Sequence, residues 1–362
     1  MLHEHSVAVV VPAYNEETQI TDVMATMPDF VDKIVIVNDF SKDRTSEVVK
    51  EFAPKVPGSF KPEITTIDTS NKFNRADQVV ADLEKAEIKK YVVHKTYEFD
   101  NSKIVLIDMQ ANGGVGAAIA LGYKWAKDHN IDCTAVMAGD GQMDPAELEG
   151  ICTPVIKEKV DYVKGDRLSH PSANLLIPKV RFLGNSILTI LTKVASGYWH
   201  VTDTQTGYTA ISLNALKKIR IYNIYKRYGM PNDMLVKLNI AKCTLKEIEI
   251  KPVYNVGEKS KMKVFKVMPK ISWLLLRLFF RRIWVKYFIK GFHPLFILYN
   301  LGFLLLAASI PYIIKIIRII LDVNEVANPV TALALAFFLI TGFQSILFAM
   351  WMDIQDNERL NK

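Results

Sequence analysis

The chain has 362 residues, 50% of them hydrophobic and 23% charged. This is enough for one sizeable enzyme domain with a further segment attached, and too apolar for a disordered chain. A formal net charge of +7 admits either nucleic acid or anionic lipid as a partner, and only the placement of the charge separates the two.

In chain order, the first apolar run, Val7 to Val11, is too short for the h-region of a signal peptide. From Val7 to about Lys251, short β-branched runs alternate with longer amphipathic segments, the pattern of a parallel α/β sheet. The predicted strands are VAVVVPA, KIVIVND, KIVLIDM, CTAVMAG and VDYVKGD, each running into a polar or Gly-containing stretch. Ligands of open α/β sheets gather at the carboxyl ends of strands, so a site belongs in those stretches. The first strand delivers Pro12, Tyr14, Asn15, Glu16 and Glu17, and the second Asn38, Asp39, Phe40 and Ser41. A tyrosine ring with carboxylates suits a base and ribose; the same residues also suit a turn and a helix N-terminus, where the dipole favours acids. Residues 53–103 are rich in Lys, Asp and Glu, carry Pro54, Pro57 and Pro62, and hold a helical piece around Ala76 to Lys90. They separate two strands that far less chain would join, and are read as an insertion.

Asn112-Gly113-Gly114-Val115-Gly116 opens a helix after the third strand, but the third glycine of a dinucleotide fingerprint is absent. The fourth strand ends in Ala138, Gly139, Asp140, Gly141, Gln142. Small residues there let a diphosphate approach the backbone, and Asp140 with the side-chain oxygen of Gln142 suits a hard divalent cation that keeps waters and phosphate oxygens as its other ligands. A plain Asp-Gly turn before a helix is the alternative. Asp144, just before Pro145, reads as an extra acid or as an N-cap. Arg167, after Lys164-Gly165-Asp166, has the planar fork that bridges a phosphate, or is an ordinary surface arginine. Arg181 and Asn185, four apart on the next predicted helix, suit either an acceptor phosphate or a solvated face. Cys133, Cys152 and Cys243 show no paired spacing, which fits a reducing compartment and excludes a disulfide frame or a cysteine metal site.

The charge is local. From Lys259 to Lys290 there are ten basic residues and no acidic one, so the remainder of the chain is at −3. Between Ile271 and Phe292 this belt mixes Trp273, Phe279, Trp284 and Phe288 with Arg and Lys, as an interfacial amphipathic segment does. Residues 291–314 and 326–352 then carry no charge, and each run exceeds the roughly 20 residues that cross a bilayer. Two such runs in tandem predict a transmembrane hairpin and make nucleic acid the weaker partner. Arg277, Arg281, Arg282, Lys286 and Lys290 before the first span outnumber Lys315 and Arg318 in the linker, which also holds Asp322 and Glu325, so the N-terminal part and the tail from Asp353 are expected on the cytoplasmic side.

VPAYNEE, VNDFSKDRT, NGGVGAAIALGY, MAGDGQMDP, KGDR and DTQTGY, in this order, resemble the family 2 glycosyltransferases. With the C-terminal hairpin the chain is most similar to the polyprenyl-phosphate type, related to dolichyl-phosphate mannose and glucose synthases. The resemblance covers Val7 to about Lys261, apart from the insertion. It implies a GT-A-type, Rossmann-like α/β sheet, a nucleotide-diphosphate sugar donor, Mg or Mn, and a lipid phosphate acceptor. By position, Pro12, Tyr14, Glu16, Val37 and Asp39 would line the nucleoside pocket. Ala138, Gly139, Asp140 and Gln142 would meet the donor's diphosphate and metal, with Ala138 standing where the family's Asp-x-Asp signature has its first Asp. Arg167 would hold charge on the departing diphosphate or the acceptor phosphate, and Asp203 or Gln205 would shape the sugar pocket. Asp233 corresponds to the base of relatives that use a hydroxyl acceptor. A Ser-Lys pair matches at Ser260-Lys261, but the family's arginine six residues ahead of that Lys reads Asn255, and Lys259 would supply the charge. Lys259 and Lys261, with Arg181, are thus the acceptor-phosphate candidates.

The expected organisation is a cytosolic catalytic domain over 1–258, a basic interfacial segment over 259–292, two transmembrane helices within 293–352 and a cytosolic tail over 353–362. The expected activity is inverting transfer from a UDP- or GDP-sugar to a dolichyl or undecaprenyl phosphate. A polysaccharide synthase acting on a sugar hydroxyl is disfavoured by the lack of a Gln-x-x-Arg-Trp motif and of further spans. A non-catalytic adaptor is the other alternative. Expected partners are the nucleotide sugar, the polyprenyl phosphate and anionic lipid, without nucleic acid, and a homo-oligomer is compatible.

Overall fold

The computed structural model describes residues 1–64, 71–177, 179–253, 264–321 and 328–362 of the protein. The globular part runs β1 (Val7–Ala13), α1 (Ile20–Ala25), β2 (Lys33–Asn38), α2 (Thr45–Phe52), α3 (Arg75–Tyr91), β3 (His94–Glu98), β4 (Ile104–Met109), α4 (Val115–Asp128), β5 (Cys133–Val136), α5 (Leu148–Lys157), β6 (Tyr162–Asp166), α6 (Ala173–Leu176), α7 (Lys179–Ser196), β7 (Thr209–Ser212), α8 (Leu213–Lys218), α9 (Met230–Ile240) and β8 (Leu245–Glu249). The strands form one sheet in the order β3-β4-β2-β1-β5-β7-β6-β8.

All five predicted strands are present, and three others join them. The sheet is mixed where the sequence suggested a parallel one. β3 reaches β4 through a short turn, and so tight a connection forces an antiparallel pair. Its sequence, HKTYE, is polar because it is the sheet's outer strand, mostly open to solvent. Thus the stretch read as an insertion supplies α3 and an edge strand. β7, four residues long, lies antiparallel between β5 and β6.

Both faces of the sheet are covered, which is why the central strands read as continuous apolar runs. Val7, Val9 and Val11 of β1 pack with Ile34 and Ile36 of β2 against α1 and α5. Ala8 and Val10 face the other way with Val35 and Val105, onto α4, α8 and α9.

After the sheet come α10 (Val264–Trp284), a π-helical turn (Val285–Ile289), α11 (Pro294–Leu321) and α12 (Pro329–Glu358). At ~1.5 Å per residue, the 28 residues of α11 reach about 42 Å, beyond the ~30 Å hydrocarbon core. α11 and α12 pack closely side by side, and Gly302 allows it: a Cβ there would stand 2.6 Å from Ile346. A third core joins this pair to the globular part, with Leu188 and Ala195 of α7 meeting Ile271, Leu275, Phe279 and Ile283 of α10, then Leu295, Tyr299 and Ala349.

Past the hairpin the chain comes back to the sheet. The Leu245 amide donates to the Leu360 carbonyl (2.7 Å) and the Lys362 amide to the Leu245 carbonyl (2.9 Å), so the tail extends the sheet beside β8. Arg282 of α10 is fully buried, donates bidentately to Asp353 of α12 (2.6 and 2.7 Å) and also donates to the carbonyls of Val194 and Ala195 on α7. Tyr287 donates to Asp353 at 2.7 Å, and Lys286 bridges Asn239 of α9 and Asp356. Both ends of the hairpin are therefore fastened to the same side as the globular domain.

Candidate active site

The sheet brings the marked residues to one edge. β1 is parallel to β2 and β5, and β5 and β6 are both antiparallel to β7, so the carboxyl ends of β1, β2, β5 and β6 all open the same way. Thr209 starts β7 opposite both Val136 and Lys164, which sets the 203–208 loop at that edge too.

At the β1 and β2 ends the two loops are stitched together. Asn15 donates its amide to the Ser41 hydroxyl and accepts from the Lys42 amide (2.9 and 2.8 Å), while the Glu16 amide donates to Thr45 (3.0 Å). Tyr14 and Glu16 stand half-buried on this platform. Pro12 sits opposite Val37 in the register, and the Val37 side chain lies in the core, so what it presents at the edge is backbone. Asp39 is buried and accepts from the amides of Gly113 (2.6 Å) and Gly114 (2.9 Å). Burial pushes its carboxyl up, against those two amides and the charge of Arg227. The glycines after β4 thus serve the protein's own backbone: the Gly116 amide donates to the Lys226 carbonyl at 2.9 Å, and a Cβ at Gly116 would fall 2.0 Å from the Tyr225 carbonyl oxygen. The N-terminus of α4 is closed by a peptide carbonyl.

Beside β1, the end of β5 carries Ala138, Gly139 and Asp140, with the Gly139 amide reaching the Pro12 carbonyl. Asp140 accepts from the Gln142 backbone amide (3.2 Å), which folds the turn. Asp144 caps the following turn by accepting from the Ala146 amide (2.9 Å). Among the described residues no group of three or more His, Cys, Asp or Glu is placed to hold a metal. One carboxylate and one amide oxygen form a sparse, all-oxygen donor set, which fits a magnesium-like ion whose other ligands are phosphate oxygens and water. A cleft opens from this turn, lined by Gln142, Met143, Glu147, Arg167, Thr206, Tyr208 and Lys251 among others.

Across the cleft, Arg167 donates through Nε to Asp203 (2.8 Å) and through a terminal nitrogen (3.2 Å), and its own amide also reaches that carboxylate. Asp203 is fully buried and further accepts from the Gln205 and Thr206 amides. Burial alone would raise its carboxyl, but the Arg167 guanidinium, the Lys164 ammonium and the Gln205 amide together outweigh that and hold it below the usual range. Gln205 donates to Thr204 (2.8 Å) and to Asn232 of α9 (3.0 Å). Asp233, next on α9, is buried, accepts from the Tyr225 amide at 2.7 Å and pairs with Lys237 one turn on. α9 begins at Met230, so Asp233 lies inside its first turn.

Two charged residues behind the cleft were not marked in the sequence: Lys164, inside β6, and Glu247, inside β8. A lysine within YVKGD and a glutamate within LKEIE were the available signals. The outward apolar face of α7, with Ile187, Ile190 and Leu191 exposed, was also missed; it continues the exposed Trp273, Leu276, Phe280 and Trp284 of α10. Asn255, Lys259, Ser260 and Lys261 lie outside the described residues, as do Asp322 and Glu325 of the linker and the side chain of Arg181.

A family model for glycosyl transferase family 2 matches residues 8–93 and 82–220. The UDP-N-acetylglucosamine–dolichyl-phosphate N-acetylglucosaminyltransferase of Methanococcus voltae is 28% identical over 246 residues, covering 68% of this chain and 84% of that protein. A dolichyl-phosphate beta-glucosyltransferase of Trichomonas vaginalis is 25% identical over 296 residues, covering 77% of this chain and 75% of its own length. Glucosyl-3-phosphoglycerate synthase from Mycobacterium tuberculosis, crystallised with Mn2+, UDP and glucosyl-3-phosphoglycerate, aligns with a TM-score of 0.47 at 13% identity, over 77% of this chain and 80% of that one.

Proposed function

The chain belongs to glycosyl transferase family 2, with the GT-A-type sheet and the apolar C-terminal helix pair of its polyprenyl-phosphate glycosyltransferases, and from that premise we propose that it transfers a sugar, with inversion, from a UDP- or GDP-sugar to a dolichyl or undecaprenyl phosphate at the cytosolic membrane face. The observation that carries this is continuity: the cleft lined by Gln142 and Arg167 belongs to a domain whose helices α7 and α10 turn apolar and aromatic side chains outward, and α10 leads into two helices long enough to cross a bilayer. The donor's nucleoside lies on the stitched loops with Tyr14, Glu16 and Asp39, and its diphosphate on the small residues Ala138 and Gly139. Asp140 and Gln142 would hold a Mg or Mn ion, whose charge would neutralise the diphosphate as a leaving group. Arg167, oriented by Asp203, presents its remaining N–H groups to the leaving diphosphate or the incoming phosphate. Gln205, fixed by Asn232, borders the sugar.

A phosphate monoester carries about −1.5 to −2 charge at neutral pH and needs no general base to attack an anomeric carbon. The surroundings of Asp233 support this, because one oxygen of its buried carboxylate is already engaged by Lys237 and the Tyr225 amide. The basic residues from Lys259 onward are assigned to anionic headgroups, and Lys261, by its place in the Ser-Lys pair, to the acceptor phosphate.

The test is incubation of the detergent-solubilised chain with radiolabelled UDP- and GDP-sugars and short polyprenyl phosphates, with and without Mg or Mn, followed by extraction of the lipid phase. Metal-dependent label in the lipid phase is expected. Label that never leaves the aqueous phase for any donor and acceptor would overturn the reading.

A further inference from the structure

The pairing of Arg167 with Asp203 raises a question of how a half-buried cation keeps its direction when its partner sits on a loop. The loop is gripped from behind by two charged side chains that no functional step employs. Glu247 of β8 accepts from the Thr202 amide (2.8 Å), the Thr202 hydroxyl (2.7 Å) and the Asp203 amide (3.1 Å). Lys164 of β6 is 1% exposed and donates to the Thr206 carbonyl at the other end of the same loop. Asp203 itself closes the middle through the Gln205 and Thr206 amides (3.1 Å each). Beside the neutral bonds from Thr189 and Asn232, the loop is thus anchored by ionised side chains, in a place where unpaired burial of any one charge is costly.

We infer that Lys164 and Glu247 are positioning residues for Arg167: they lock the 202–206 loop so that Asp203 presents the guanidinium to the cleft in one orientation, and Lys164 offsets the surplus of carboxylates that would otherwise mask its charge. This rests on the proposed role of Arg167 at the phosphate groups. The balance is close, since Asp166, Asp203 and Glu247 face Lys164 and Arg167 across β6, β8 and the loop. Asp166 accepts from the Leu168 amide (2.9 Å) and the Ser169 amide (3.2 Å), and it shares the Thr202 hydroxyl with Glu247, so it also touches the start of the loop. Removing the Lys164 charge would leave three carboxylates around one guanidinium. Burial holds the Lys164 ammonium down to about 8, against the pull of Asp203 and Glu247, so the surplus of carboxylates over cations in the cluster grows as Lys164 loses its proton, within reach of an ordinary pH series.

The experiment uses the full chain in detergent, with Glu247→Gln, Lys164→Met, Arg167→Ala and the pairwise combinations. Transfer to a short polyprenyl phosphate is followed across pH 6.5 to 9.5, and hydrogen exchange at the amides of residues 202–206 is measured on the same samples. Each single variant is expected to lower kcat by at least about tenfold with the donor KM changed by less than about threefold, because the lost contact belongs to the transition state. Neither is expected to lower the rate further in the Arg167→Ala background, because both act through that side chain. Wild-type kcat is expected to fall above pH 8, and this limb to vanish in Lys164→Met. Exchange at Thr202 and Asp203 is expected to quicken in Glu247→Gln. Full additivity with Arg167→Ala, or unchanged kcat with unchanged exchange, overturns the inference while wild-type transfer leaves the proposed function standing. If the wild type transfers no sugar, the proposed function falls, and the exchange measurement still decides whether the loop is locked.

Discussion

Asp140 has Ala138 two residues before it, so the proposed metal site would rest on one charged ligand and an amide. Asp140→Asn is predicted to cut kcat/KM by at least about 100-fold at fixed Mg or Mn, measured by lipid-phase label over a metal titration. Asp233 poses the opposite case. Asp233→Asn strands Lys237 in a buried place and is predicted to lower thermal stability, while the transfer rate per folded molecule stays within about tenfold of wild type. Abolished transfer with donor binding intact would assign a base to that carboxylate. Asp203 also has a pH signature. Its folded carboxyl lies below the unfolded value, so the stability it contributes is complete above the ordinary aspartate range and is lost as pH falls through the folded value. The acid limb of a denaturation series is predicted to flatten in Asp203→Asn.

Among the elements, the short strands and the tail are where local pattern and observed structure part. β3 was hidden by its polarity and β7 by its four residues, since a strand that leans on neighbours at both sides needs little propensity of its own. The fastening of α10 to α12 through Arg282 and Asp353 is likewise a matter between elements. Arg282→Met or Asp353→Asn alone is predicted to destabilise the chain by about 3–5 kcal/mol, because each leaves its partner buried and unpaired, whereas Arg282→Met with Asp353→Leu is predicted to recover most of that loss. Chemical denaturation in detergent, followed through the tryptophans, reads the difference.

For the molecule as a whole, a sheet-edge cleft and an apolar collar are held in fixed relation by the third core between α7, α10 and the hairpin. Trp273 projects from that collar and is mostly exposed, and Trp284 is about half exposed. Trp273→Ser with Trp284→Ser is predicted to weaken transfer to an acceptor embedded in vesicles by at least about tenfold and to leave transfer to a short, water-soluble polyprenyl phosphate nearly unchanged, because what is lost is contact with lipid. Equal losses on both acceptors would place those rings in the catalytic domain's own stability.

Some of this was written locally in the chain. Strand ends rich in Asp, Gly and Asn, the basic belt and two charge-free runs are properties of neighbouring residues, and the periodicity of side chains and the cost of burying charge in lipid make them readable without a fold. Arg167 and Asp203 were each conspicuous, yet nothing in their spacing says that they pair, nor that Lys164 and Glu247 grip the loop between them. The return of Leu360 to β8 and the meeting of Arg282 with Asp353 were equally silent. These partners lie tens of residues apart, and the low-dielectric interior that makes their charges decisive exists only once the sheet has closed around them.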